Sequence, residues 1–387
     1  MKPSRVAVVG GGPAGLYFAY LFKKSTPGSE VVVFEQNEPD TTFGFGIELA
    51  EGSLKWLELA DAESYDAIRA KIHRTQHRMI FHEGVGVMVD QVAQGCAISR
   101  LTLLAILSKL CERVGVELRF GQRVETNNPW SDADLVVGAD GTNSAIRSQN
   151  SAVFGTSINS LSNRFAWYGA TAKFEMPVLS FRQYNGGHFV AHYCPYSAEM
   201  GTFIAECDKA TWENLALGAM SDVAKQQLME TIFSEELEGQ PLVSNRSSWR
   251  TFPVVVNERW SAGSTVLIGD ALHSAHFSFG SGTRIAMEDS ISLWKALSAN
   301  DSVSGALKCF ENERRPAKVK LLEAAKASYT WYEGFADGVE YLMPVEFAYD
   351  YMTRTGCTDN DRLREEHPVF MQEYATWRRQ QGYSGCC

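Results

Sequence analysis

Short unbroken apolar runs alternate with longer helical periodicities over the first part of the chain. Val6–Val9 and Val31–Phe34 are apolar runs bounded by turn residues, the pattern of buried strands. Between them, Pro13–Lys24 places Leu16, Ala19, Tyr20 and the stem of Lys23 on one face, which predicts a helix. A helical stretch is expected near 51–72. From Arg78 to Val92 the pattern turns β-like, with Gly84 and Gly86 as turn signals. Ser99–Val114 predicts a helix that stops before Gly115, and Val116–Phe120 and Leu135–Val137 predict strands.

From about 160 to 258 the texture changes. Phe165–Tyr168, Leu179–Tyr184, His188–Tyr193 and Thr202–Glu206 are aromatic and β-branched runs, interrupted by one helix expected near 209–236. They predict a mostly antiparallel sheet inserted into the first unit. The buried-strand pattern returns at Ser264–Ile268, and Gly282–Leu297 predicts a helix. Beyond about 303 the chain is mainly helical, with Pro316 expected to kink or break a charged helix. The fold class is therefore α/β with two interleaved domains. One is discontinuous, from 1–72, 95–158 and 260–300. A β-sheet domain comes from 73–94 and 159–259, and a helical C-terminal region from 301–387.

Composition narrows the function. The 387 residues are 45% apolar and 21% charged, which excludes a disordered chain, a collagen or a coiled coil. A net charge of −10 argues against a dedicated nucleic-acid binder. No apolar run approaches the ~20 residues of a membrane span, and Val6–Val9 leads into glycines rather than a signal-peptide cleavage site. A cytoplasmic location is expected. The eight cysteines form no CxxC pair and are expected to be reduced thiols, with Cys386-Cys387 open to oxidation. His73/His77 and His188/His192 are each four apart, but no HExxH occurs, so no metal site is expected.

The strongest local motif is Gly10-Gly11-Gly12-Pro13-Ala14-Gly15, a GxGxxG between strand and helix. Gly10 permits a tight turn and Gly12 close approach to a pyrophosphate. Gly15 allows helix and strand to pack, and Pro13-Ala14 open the helix whose N-terminus favours the anion. Glu35 lies 20 residues past Gly15, at the end of the second strand, where it can accept a bond from a ribose hydroxyl. The motif predicts dinucleotide binding without choosing FAD over NAD.

Two later segments make the choice: Asp134-Leu-Val-Val-Gly-Ala-Asp140-Gly141-Thr-Asn-Ser144-Ala-Ile-Arg147 and Val266-Leu-Ile-Gly269-Asp270-Ala-Leu-His273. In order with GxGxxG, they resemble the DG and GD motifs of the single-component FAD-dependent aromatic hydroxylases of the para-hydroxybenzoate hydroxylase type. The resemblance implies a Rossmann-like FAD-binding domain of glutathione reductase type, with a substrate-binding sheet. Glu35 would hold the adenosine ribose and the Val124 backbone would face the adenine. Arg100 would approach the pyrophosphate, Asp270 would bond the ribityl chain, and Asp140-Gly141 would belong to the cofactor site. Gly280, Gly282 and Thr283, in Phe279-Gly-Ser-Gly-Thr-Arg284, would sit at the flavin's pyrimidine edge, where the helix N-terminus stabilises negative charge. Gly44 and Gly46 would let a moving flavin pass the loop Thr42–Gly46. Two departures stand out. No arginine occurs between Lys24 and Lys55, where the family often carries one, and His276-Phe277 stand where proline is common after the GD motif.

Phe43-Gly-Phe-Gly46, Arg164-Phe-Ala-Trp-Tyr-Gly169, Thr202-Phe-Ile-Ala-Glu-Cys207, Asn257-Glu-Arg-Trp260, Ala275–Thr283 and Ala286-Met-Glu-Asp289 resemble the salicylyl-CoA 5-hydroxylase subgroup. The middle region is also similar to violacein-pathway indole hydroxylases and to a tropone-pathway flavoprotein dioxygenase. The resemblance implies an oxygenase holding FAD tightly and non-covalently. It would insert oxygen from O2 into an aromatic or cyclic CoA thioester through a flavin–oxygen adduct, with NAD(P)H as transient reductant. Two other readings stay open: ring epoxidation or dioxygenation of a CoA ester with substrate-derived electrons, and hydroxylation of an indole or tryptophan-derived ring. A homodimer is also left open. Candidate catalytic residues are His273, beside the GD motif, and His188 and His192, on one strand face.

Overall fold

The computed structural model describes residues 2–39, 41, 44–50, 54–92, 94–124 and 132–383. Four short apolar strands build its first sheet. Arg5–Val9, Glu30–Phe34, Leu135–Gly138 and Thr265–Leu267 run parallel, with Glu117–Arg119 at one edge and an antiparallel Ser261–Ala262 at the other. Parallel strands covered on both faces read as continuous apolar runs, which is why these were visible in sequence.

The helix Pro13–Ser25 starts on Gly12 with Pro13 in its first turn. It packs between Arg100–Val114 and Gly282–Ala299. Every residue from Pro13 to Phe22 is buried, so the single expected face understates a helix enclosed nearly all round. Arg100–Val114 opens on a Ser99 side-chain cap and closes on Gly115 at φ 84°.

The second sheet has seven strands in the order Leu242–Val243, Arg164–Ala170, Gly201–Cys207, Gly187–Pro195, Val178–Tyr184, Arg78–His82, Val85–Val89. All neighbours are antiparallel except Val178–Tyr184 with Arg78–His82. One face packs Tyr168, Phe189 and Phe203 against Met229 and Phe233. The other packs Phe181 and Val190 against Tyr332, Phe347, Tyr351 and Phe370 of the C-terminal helices. The ribbon Thr156–Ser160 with Pro253–Asn257 lies where the chain passes between the two sheets.

Local differences from expectation have local causes. The stretch near 51–72 is two helices, Lys55–Ala60 and Ala62–Arg69, because Asp61 caps the second by accepting from Ser64 N. The helix expected near 209–236 is Lys209–Asn214 and Asp222–Ile232, parted at Ala216, whose φ is 49°. His73–Thr75 joins Gly95–Ser99 and Gly46–Ala50 in a three-stranded sheet. The chain enters the large sheet only after a left-handed turn at His77. Pro316 does not break its helix, which runs from Val303 to Glu333. No helix of the described residues is long and apolar enough to cross a membrane.

Candidate active site

The glycine loop is shaped by close approach. Gly10 has φ +108°, and a Cβ there would lie 2.3 Å from Ala139 O; one on Gly15 would lie 2.0 Å from Gly10 O. These two positions exclude any side chain. A Cβ on Gly12 would meet nothing within 4 Å, so the space above the helix N-terminus is open. Gly11 N donates to Glu35 Oε2 at 2.8 Å, and Asn37 N donates to Glu35 Oε1 at 2.8 Å. The carboxylate is thus fixed beside the loop. Gln122 N donates to Glu35 O at 2.9 Å, bringing the half-buried Val124 segment to the same strand end.

The DG and GD loops are tied together from below. Asp140 accepts from Ser144 Oγ, from Ala145 N at 2.7 Å and from Ile146 N at 3.2 Å. Its carboxylate therefore holds the turn at Gly141 (φ +78°) and caps the following helix, a structural duty within the cofactor loop. Burial raises its pKa, against the pull of these hydrogen bonds. Arg147 is buried and donates to Thr142 O and, at 3.1 Å, to Ala271 O. Asn257 Nδ2 donates to Ala271 O at 3.3 Å and to Leu272 O.

Asp289 supports the GD loop from behind. It accepts from Gly269 N at 3.1 Å and from Arg314 Nε at 3.0 Å, and it pairs with the fully buried Lys318. Burial raises the pKa of Asp270, opposed by the charges of Arg100 and Lys318. Burial lowers that of Lys318, opposed by Asp289.

A cavity of about 400 Å³ is lined by residues of the Asp270 loop and of the seven-stranded sheet. Its size suits a small aromatic ligand with part of a cofactor. Its lining includes Gly44, Gly46, Arg100, Asp270, Gly280, Gly282 and Thr283. Ser281 makes no side-chain cap to the helix that starts at Gly282, which leaves its first-turn N–H groups for a ligand. The open space at Gly12, the fixed Glu35 and the facing Arg100 and Asp270 together fit a flavin dinucleotide. The lining also includes Trp167, Ile204, Phe277 and His192, with Arg78, Tyr351 and Arg354.

The three histidines separate. His192 lines the cavity, its Nε2 3.2 Å from Glu206 Oε2, its ring stacked on Tyr332 at 5.0 Å and edge-on to Phe277 at 5.4 Å. Glu206 is buried and also accepts from Asn163 Nδ2 at 2.9 Å. His188 shares the strand face but lies outside the cavity lining, its Nε2 3.3 Å from Glu340 Oε1, because the cavity covers only one end of the strand. His273 is buried against Trp260, with ring centroids 5.6 Å apart, and burial pushes its pKa down to about 2. It lies outside the residues that line the cavity.

Sequence reasoning passed over Glu206, Arg78, Arg354 and Tyr351. Glu206 left a signal, as the one acid in the run Thr202-Phe-Ile-Ala-Glu-Cys207, every residue of which is buried. Arg354 and Tyr351 left none, since only the packing of the C-terminal helices brings them to the cavity. Among the described residues no cluster of three or more His, Cys, Asp or Glu is placed to hold a metal.

Comparison with known proteins places these features. A family model described as FAD binding domain matches residues 4–325. The chain is 37% identical to salicyloyl-CoA 5-hydroxylase of a Streptomyces species, over 91% of this chain and 70% of that protein. It is 33% identical to 3-hydroxy-4-methyl-anthranilyl-[aryl-carrier protein] 5-monooxygenase of Streptosporangium sibiricum, over 91% of this chain and 94% of that one. Its fold matches the tetrameric form of 2-methyl-3-hydroxypyridine-5-carboxylic acid oxygenase, with a TM-score of 0.72 at 18% identity, over 92% of this chain and 96% of that one.

Proposed function

Because the chain belongs to the FAD-dependent aromatic hydroxylases, we propose that it hydroxylates the ring of an aromatic acyl-CoA thioester, using O2 with NAD(P)H as reductant. The observation that carries this reading is one continuous cavity, from the dinucleotide loops at Arg100, Asp270 and Gly280 to an aromatic wall at Trp167 and Phe277. The substrate class is supported by the 37% identity to an enzyme that acts on salicyloyl-CoA. It is also supported by the second relative, which acts on an anthranilyl group held by an aryl-carrier protein.

Bound FAD supplies the redox chemistry and the activation of oxygen. The chain's own residues bind, orient and shield. Glu35 would hold the adenosine ribose, with the Val124 backbone beside the adenine. Arg100 would meet the pyrophosphate and Asp270 the ribityl chain. The amides of Gly280–Thr283 and the positive end of their helix stabilise negative charge at the flavin's pyrimidine edge. Trp167, Ile204 and Phe277 hold the substrate ring and exclude water, which would divert activated oxygen to hydrogen peroxide. With its Nε2–H given to Glu206, His192 keeps Nδ1 as an acceptor for a substrate hydroxyl proton.

The test is anaerobic mixing of the oxidised holoenzyme with NADPH or NADH, with and without a panel of aryl-CoA esters, while the flavin absorbance is followed. Bleaching that an ester accelerates supports the reading; bleaching indifferent to every ester overturns the substrate class. The absence of arginine between Lys24 and Lys55 favours one second reading, oxygenation of a CoA ester with electrons from the substrate itself. Bleaching by ester alone would select it.

A further inference from the structure

Four arginines line the cavity, Arg78, Arg100, Arg250 and Arg354, against two carboxylates, Glu48 and Asp270. In a chain of net charge −10 this is a basic enclave. Three of the four are engaged. Arg78 Nη1 donates to Tyr351 Oη at 3.2 Å, with Nη2 3.8 Å from Glu48. Arg354 donates to Ser278 O at 2.9 Å and Tyr351 O at 2.8 Å, its guanidinium 3.8 Å from the Tyr351 ring centroid. Arg100 faces Asp270 and Glu35.

Arg250 differs. Its backbone bridges to Phe165, and its guanidinium lies 5.4 Å from the Phe165 ring centroid. Among the described residues no carboxylate pairs with it and no acceptor takes its side-chain hydrogens. Its side chain is exposed, whereas Leu179, Cys194 and Ile204 of the inner wall are buried. It therefore stands at the rim, a planar fork of donors on an aromatic shelf at the mouth of the cavity.

We propose that Arg250 binds the diphosphate of an adenosine-diphosphate tail while the reactive ring of the same ligand lies in the cavity. A carboxylate attached directly to the ring would lie among Trp167, Ile204 and Phe277, where Arg78 and Arg354 are already engaged by Tyr351, Glu48 and Ser278. An anion at the rim belongs to a ligand whose charge is separated from its ring by a linker. The several oxygens of a diphosphate suit the bidentate geometry of a guanidinium. Apart from FAD, whose diphosphate is assigned to the glycine loop and Arg100, two ligands of this enzyme class carry that group, a CoA thioester and a nicotinamide dinucleotide. The first source rests on the acyl-CoA reading above; the second does not.

The test compares wild-type, Arg250→Ala and Arg250→Lys holoenzymes. Flavin absorbance reports titration with an aryl-CoA ester and with the same acyl group on N-acetylcysteamine, a thioester without diphosphate. Stopped-flow absorbance reports anaerobic reduction by NADPH and NADH. If CoA is the source, Arg250→Ala raises the Kd for the CoA ester tenfold or more and leaves that of the truncated thioester unchanged. If the nicotinamide is the source, half-saturation for NAD(P)H rises tenfold or more at an unchanged limiting rate. Arg250→Lys, a point charge without the fork, recovers part of either loss. An equal loss for full and truncated thioesters, or no loss in any arm, overturns the proposal. If wild type binds neither thioester, the acyl-CoA reading fails separately. The reductant arm then decides, and an unchanged half-saturation, or no reduction by either nicotinamide, overturns the proposal.

Discussion

Lys318 and Asp289 form an ion pair with both side chains fully enclosed, and the same carboxylate accepts the backbone N–H of Gly269 at 3.1 Å. The pair stands directly behind the loop that carries Asp270. Removing Lys318 leaves the buried carboxylate with Arg314 as its remaining cation, a loss of up to about 3–5 kcal/mol. Lys318→Met is expected to lower the thermal midpoint and accelerate FAD release. The double variant Lys318→Met/Asp289→Asn is expected to recover part of the stability. A double-mutant cycle on the apoprotein and holoenzyme checks this; strictly additive losses would mean the pair is not coupled.

Gly12 and Gly15 are expected to separate cofactor binding from folding. A methyl at Gly15 would sit 2.0 Å from Gly10 O, so Gly15→Ala should destabilise the apoprotein as well as abolish flavin retention. A methyl at Gly12 meets no protein atom within 4 Å. Gly12→Ala should leave apoprotein unfolding unchanged while weakening FAD binding. Denaturation of apoprotein and titration with FAD distinguish them, and an equal loss of apoprotein stability in both would contradict the cradle described here.

His192 and Glu206 should act on hydroxylation rather than on cofactor loading. His192→Ala is expected to slow product formation by about 10²-fold or more, the usual worth of a positioned proton acceptor, at unchanged FAD content. Glu206→Gln, which keeps the shape and loses the charge, should cost less and shift the pH profile. Single-turnover product analysis with the ratio of product to hydrogen peroxide makes the measurement. A loss of FAD in either variant would assign the pair a purely structural role.

Acid sensitivity follows from two histidines buried in the neutral form. Burial holds His273 at about 2 and His276 at about 4, against 6.5 for a free imidazole. Below pH 6.5 the unfolded chain binds protons that the folded chain refuses. Stability therefore falls with acidification by up to about 1.4 kcal/mol per pH unit per histidine, until each folded pKa is reached. Asp140 and Asp270, whose pKa values burial raises, work the opposite way nearer the carboxylate range. The check is a comparison of thermal midpoints from pH 7 to 5. His273→Gln should flatten the slope relative to wild type, and an unchanged slope would mean that His273 is hydrated in the folded protein.

What the sequence made readable was short in range. Val6–Val9, the glycines at 10, 12 and 15 and the acid at 35 form one strand–turn–helix–strand unit, whose geometry is set within about thirty residues. The histidines show where such reading stops. His273 follows the GD motif by three positions, yet the tight turn over Gly269–Ala271 sends it toward Trp260. His188 and His192 were correctly placed on one face of a strand, but alternation cannot say where along that face the cavity ends. Asp140 sits in a cofactor motif and spends its oxygens on the turn itself. Arg354 and Tyr351 reach the cavity only because the C-terminal helices cover the large sheet, a contact with no local pattern to announce it.

The bond from Arg147 to Ala271 spans 124 positions, and Thr265–Leu267 lies in the sheet beside Leu135–Gly138. Connections this distant are slow to form, because the intervening chain must be closed before any contact rewards it. A ribosome that has released only the first half of the chain has made the glycine loop but not the surface that completes it. Flavin capture therefore belongs to the end of folding, after the inserted sheet has been synthesised and its flanking strands have met. Until then one edge of Leu135–Gly138 is an unpaired parallel strand, open to premature pairing.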